Sequence, residues 1–143
     1  MHEDTIALLG ACTAGIDLTL AAIDRLTPTI ADHRLRQKLH ESKEDHQLLR
    51  SHACRLLEHY GGTERKPAAT MRGLQRLRTD LRMVLGGDDT TAAYLVAGHC
   101  DMGVRSLSKC QNRHCLANTD ALLLTQELIR CEESLSASLR PYL

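Results

Sequence analysis

Apolar residues along this chain recur at alternating steps of three and four, the period of one helix face, and no stretch alternates every second residue as a half-buried strand would. Ile6, Leu9, Thr13, Ile16, Leu20 and Ile23 form one stripe, and Leu35, Leu39, Ser42, His46, Leu49, Ala53, Leu56 and Tyr60 form a second. A third passes through Val96, Cys100, Gly103, Leu107, Cys110 and His114, and a fourth through Leu124, Leu128, Cys131 and Leu135. Each is the seam of a bundle helix. Ser42 and His46 interrupt the second seam with polar groups.

Capping and stop signals bound these runs. Asp4 and Thr5 can cap a helix over about 5–26, which Pro28 stops. Thr27 or Thr29 can cap a second over about 29–60, closed by Gly61 and Gly62. Pro67 suits the first position of a shorter helix over about 67–85, ended by Gly86 and Gly87. Asp88 or Asp89 caps a fourth over about 89–115, and Asn118 or Thr119 caps a fifth over about 119–140, ahead of Pro141. Residues 61–88 are too many for a tight antiparallel turn and contain their own helix. A long crossover of this kind joins the two helical pairs of a ferritin-like bundle.

Composition agrees. Leu and Ala abound, Phe and Trp are absent, and 143 residues suit one domain, taken as 1–143. Lys and Arg number 18 against 18 Asp and Glu, so no net charge draws the whole molecule to nucleic acid or an anionic membrane. The opening "MHEDTIALLGACTAGIDLTL" has acids where a signal peptide carries bases, and on the sequence pattern no apolar run is expected to approach the roughly 20 residues of a bilayer span. A cytoplasmic protein is expected, with its six cysteines reduced because their spacings are long and irregular.

The segments "LLGACTAGIDLTLAAIDRL", "ADHRLRQKLHESKEDHQLLRSHACRLLEHYGG", "GLQRLRTDLRMVLGGDD" and "VAGHCDMGVRSLSKC" resemble successive parts of an uncharacterised bacterial ferritin-like family, a domain of unknown function. The resemblance covers nearly the whole chain. It implies an all-α, ferritin-like four-helix bundle with an additional crossover helix between the second and third bundle helices, and no known activity. Dinuclear iron or manganese sites in ferritin-like bundles take an acid from each of two helices and a Glu-x-x-His pair from each of the others. No Glu here is followed three residues later by His. Through the resemblance, Asp17 falls at the first acid, Asp101 at the acid of the fourth predicted helix and His46 at the second-helix imidazole, with the cation Lys43 in its partner slot. In the last helix the paired slots fall near Cys131 and Ser134, with no carboxylate or imidazole in register. An intact di-iron centre is not expected.

Three chemistries remain. One is a residual mononuclear divalent-metal site at His46, Asp17 and Asp101, set against a core histidine bonded to Ser42. Another is a Cu(I) or Zn site from Cys100, Cys110 and His114, which share about 80° of a helical wheel, with Cys131 on the next helix; plain packing of small cysteines is the competing account. The third is a basic face in the crossover, where Arg65, Lys66, Arg72, Arg76, Arg78 and Arg82 outnumber Glu64 and Asp80. Such a face is solvated or pairs with an acidic partner; without aromatic stacking residues, nucleic acid is not the expected ligand. His40 and Glu44, one turn apart, read as surface residues, as do His2, His33, His52 and His59. Exposed Leu and Ala on the first two helices permit a homodimer. No nucleophile elbow, P-loop or dinucleotide fingerprint occurs, so a non-enzymatic bundle with a decayed dinuclear metal site, acting as a structural, stress-linked or partner-binding module, is the leading expectation.

Overall fold

The computed structural model describes residues 2–63 and 88–143, and these form four α-helices: α1 (His2–Leu26), α2 (His33–His59), α3 (Asp89–Arg113) and α4 (Thr119–Leu139). No strand occurs among the described residues. The helix expected over about 67–85, with its basic side chains, lies outside them.

The helix boundaries follow local chemistry. Pro28 sits in a short 3-10 turn, Thr27–Thr29, that ends α1. Helix α2 starts later than the sequence predicts, at His33, because the Asp32 carboxylate accepts from Leu35 N at 2.9 Å and serves as the cap in place of Thr27 or Thr29. Asp88 caps α3 by accepting from Thr91 N at 3.0 Å. At the end of α2, Gly61 takes φ +75°, Gly61 N donates to Glu58 O, and Gly62 N donates to Leu57 O at 2.8 Å. That pair of bonds is a Schellman cap. A Cβ added at Gly62 would stand 3.0 Å from Leu57 Cδ2 and 3.1 Å from Ile6 Cγ2, so those side chains would have to shift to admit one.

Helix α1 packs beside α2 and α3, and α4 packs beside the same two, so α1 and α4 face each other across the bundle. Neighbours are antiparallel. His114, at the end of α3, bonds Asp4 at the start of α1, and Tyr60, after α2, donates to Asp120 at the start of α4. At the other end, the Asp89 carboxylate accepts from Ala31 N and Asp32 N at 2.8 Å each and ties α3 to the turn after α1. Gly62 and Asp88, close to the limits of the undescribed segment, therefore sit at opposite ends of the bundle.

Three rungs join α1 to α4 and show them to be parallel: Asn118 N to Thr5 Oγ1, Cys12 Sγ with Thr125 Oγ1, and Thr19 Oγ1 to Glu132 Oε1. Successive rungs are seven residues apart on both helices, or about 10 Å of rise. This heptad is the inner seam of α1: Thr5, Leu9, Cys12, Ile16, Thr19, Ile23 and Leu26 are all buried. Ile6 and Leu20, placed on the seam by the sequence, flank it and are only partly buried, as is Leu56, whose place is taken by Leu57.

The core divides in two. One cluster holds Leu9, Ile16, Leu49, Leu57, Leu107 and Leu128, and the other Ile23, Leu35, Leu39, Val96, Cys100 and Leu135. Between them in sequence, on α1, α2 and α4, lie the buried polar residues Thr19, Ser42, His46 and Glu132. Helix α1, contrary to the first reading of its sequence, is long and apolar enough to cross a membrane by length and composition. Its apolar seam here is buried against the other helices, together with the polar Thr5, Thr13 and Thr19.

Candidate functional site

His46 and Glu132 meet in the middle of the bundle, the first fully buried and the second 2% exposed. His46 Nε2 lies 2.8 Å from Glu132 Oε1. The other ring nitrogen, Nδ1, lies 2.7 Å from the Ser42 carbonyl oxygen, one turn back on α2. A carbonyl only accepts, so Nδ1 carries a proton and donates it. Thr19 Oγ1 donates to the same Glu132 oxygen at 2.7 Å. Three helices thus converge on one carboxylate oxygen.

The electrostatics favour the charged pair. Burial opposes a proton on His46, but the nearby Cys131 and the hydrogen bond and charge of Glu132 outweigh it, and the imidazole pKa is raised above its ordinary value. Burial likewise opposes ionisation of Glu132, yet His46, Thr19 and Cys100 together hold its carboxyl below the usual carboxylate range. An imidazolium and a carboxylate, each hydrogen-bonded, therefore sit in a desolvated layer, which is tolerable only because they are paired.

Two neighbours complete the layer. Cys131 Sγ lies 3.7 Å from His46 Nδ1. Gly103 of α3 backs onto Glu132, where a Cβ would stand 3.8 Å from Oε2. That oxygen has no hydrogen-bond partner among the described residues. Nearby on α3, burial raises the Cys100 thiol pKa, and burial lowers that of His99 despite the pull of Glu132.

The expected ligands are scattered around this pair. Asp17 takes Arg50 Nε at 2.7 Å in a half-exposed ion pair, and Asp101 is exposed and accepts from Ser136 Oγ at 2.9 Å. Lys43 reaches Asp24 at 2.7 Å. On the thiol side, Cys110 packs against the cluster that contains Cys12, whereas Cys100 belongs to the other cluster. His114 is held at the end of the bundle by Asp4 at 2.8 Å. Cys131 alone among these joins His46. Among the described residues, no group of three or more His, Cys, Asp or Glu side chains is arranged to hold a metal ion. His40 and Glu44 are 3.3 Å apart and 63% exposed, a surface pair on α2.

The decisive omission from the sequence reading is Glu132. The last helix does bring a carboxylate into register with His46, one residue beyond the slot assigned to Cys131. The signal was present: Ala121, Thr125, Leu128, Glu132, Leu135 and Leu139 follow alternating steps of four and three, and all are buried. Thr19 was missed for the same reason, because Leu20 was chosen as the inward residue. No protein-family model, curated protein or solved structure matches the chain.

Proposed function

We propose that this chain is a non-enzymatic bundle of ferritin-like topology whose dinuclear metal site has decayed, and that it acts as a structural or partner-binding module. The observation that carries this reading is the full engagement of His46, with Nδ1 donating to Ser42 O and Nε2 held by Glu132. A metal ligand needs a free imidazole lone pair, and a ring protonated on both nitrogens has none. The residues do not fit the dinuclear ion that the topology implies. Asp17 answers Arg50, Asp101 faces outward, and Thr19 and Gly103 face Glu132 from helices that would each supply an acid.

The topology itself is supported by the parallel course of α2 and α3, with Gly62 and Asp88 at opposite ends of the bundle, as in the order of helices of a ferritin-like fold. The test is elemental analysis of protein prepared reduced and without oxygen, with thermal unfolding measured in added Zn, Mn and Fe. The expected result is substoichiometric metal and an unfolding midpoint that each ion leaves unchanged. A stoichiometric metal lost in Glu132→Gln but kept in Asp17→Asn would overturn the reading.

A further inference from the structure

An open groove of about 710 Å³ runs between α2 and α4, and Cys131 and Ser42 form part of its wall. Its volume lies in the range of small-molecule sites. Around it stand three cations, Lys38, Arg55 and Arg130, and three acids, Glu41, Asp45 and Glu127. None of the six enters an ion pair among the described residues, although Glu41 accepts from Gln37. Unpaired charges of both signs around one concavity match a zwitterion better than a simple anion or cation.

The Cys131 thiol gives the groove a reactive centre. Its Sγ faces the Nδ1 proton of His46, which also serves Ser42 O, and Glu132 anchors the far side of that ring. A sulfur beside a positioned imidazole is the arrangement from which cysteine nucleophiles are built. The other thiols lack one part or another. Cys12 and Cys100 are fully buried, and the Cys12 thiol donates a hydrogen bond to Thr125. Cys115 is exposed but is not in the groove wall, and neither are Cys54 and Cys110.

We propose that this groove binds a zwitterionic low-molecular-weight disulfide and that Cys131 forms a mixed disulfide with it. In the step, Cys131 gives up its proton to solvent and Sγ attacks one sulfur of the bound disulfide. A new S–S bond forms, the old one breaks, and the second half leaves as a thiolate that takes up a proton. Cys131 is oxidised and the leaving half is reduced, so no further oxidant is needed. His46 is a positioning residue, holding a donor beside the sulfur. This proposal stands apart from the decayed-site reading, since it needs no metal history.

The experiment uses the full, reduced chain. It is incubated at neutral pH with cystine, with oxidised glutathione and with the uncharged 2-hydroxyethyl disulfide, then quenched in acid and mapped by peptide mass spectrometry. The expected result is one adduct per chain, on Cys131, formed faster with at least one zwitterionic disulfide than with the uncharged one. Which zwitterion is faster tells amino-acid-sized from peptide-sized ligands. Cys131→Ser loses the adduct, and a variant carrying Lys38→Gln and Arg130→Gln loses the charged reagent's advantage while reacting normally with the uncharged one. The same mapping in denaturant, where the groove is gone, distributes adducts over all six cysteines. Modification of Cys115 ahead of Cys131 in the native protein, or equal rates with charged and uncharged disulfides, would overturn the proposal.

Discussion

Two rungs of the α1–α4 ladder sit seven residues apart and solve the same problem differently. At the first, Thr125 Oγ1 donates to Ala121 O one turn back, and the Cys12 thiol donates to Thr125. Every partner is neutral, and burial simply raises the Cys12 pKa to about 11, keeping it a thiol. The rung lies inside one apolar cluster and leaves it continuous. At the second, a carboxylate and an imidazole draw on α1, α2 and α4, and the core parts on either side. A neutral rung is satisfied locally by its own helix. A charged rung is satisfied only by tertiary structure, so it specifies how the helices assemble.

That contrast is broken most severely by removing one charge. His46→Leu removes the counter-charge of the buried Glu132 carboxyl and leaves it the Thr19 hydroxyl at 2.7 Å, at an expected loss of about 5 kcal/mol in urea unfolding. Glu132→Leu should cost less, about 3 kcal/mol, because the imidazole can shed its proton and keep its bond to Ser42 O. Replacing both residues by Leu should recover most of the loss, since apolar packing often matches a buried ion pair. A double variant as unstable as His46→Leu would show that the layer is more than a paired charge.

The pH dependence distinguishes the rungs next. His46 has a raised pKa in the fold, so its contribution is complete below 6.5, the unfolded value, and is lost as pH rises through the folded value. Glu132 has a lowered one, so its contribution is present above 4.5 and is lost as pH falls through the folded value. The stability difference between wild type and the double Leu variant should therefore peak between pH 4.5 and 6.5 and shrink on both sides. A difference that does not change between pH 4 and 9 would contradict the charged assignment. His99, whose pKa is lowered, acts in the opposite sense to His46, favouring the fold above its unfolded value and weakening it in acid.

The neutral rung should matter less. Thr125→Val keeps the shape, removes both bonds, and should cost about 1 kcal/mol with no pH dependence near neutrality. Smallest of all are the glycines. Gly10→Ala, with nothing within 4 Å of the added Cβ, should gain up to about 1 kcal/mol of helix propensity. Gly103→Ala should gain less, because its methyl lies against the unpartnered Glu132 oxygen. Equal gains at the two sites would mean that the charged layer is indifferent to what covers it.

The sequence made the four described helices and their order legible, since Pro28, the Gly61-Gly62 pair and Asp88 each act through local backbone chemistry. Half of the site was legible too: His46, with Ser42 one turn before it, broke a largely apolar seam. Its partner was not, because a helical stripe is wide enough to admit either of two adjacent residues, and Cys131 was preferred to Glu132 for being apolar. The spacing within α4 admits both stripes, and the seven-residue match of α4 to α1, between residues 113 positions apart, selects the one through Glu132. Asp17 and Asp101 were placed through the resemblance, by alignment along the chain, and in the fold Asp17 pairs with Arg50 and Asp101 is exposed.

The ladder between α1 and α4 also bears on the order of events during synthesis. Helices α1 and α2 are neighbours in sequence and can pair as soon as both have left the ribosome. Thr5, Cys12 and Thr19, however, have their cross-bundle partners at the cap of α4 or within it, beyond position 117. Until that helix emerges, α1 presents an unfinished seam with three polar groups waiting on it, and His46 has no counter-ion. Contacts so distant along the chain form slowly and late. The nascent protein should therefore stay sensitive to proteases and receptive to chaperones until α4 has been made, and become resistant abruptly when α4 docks.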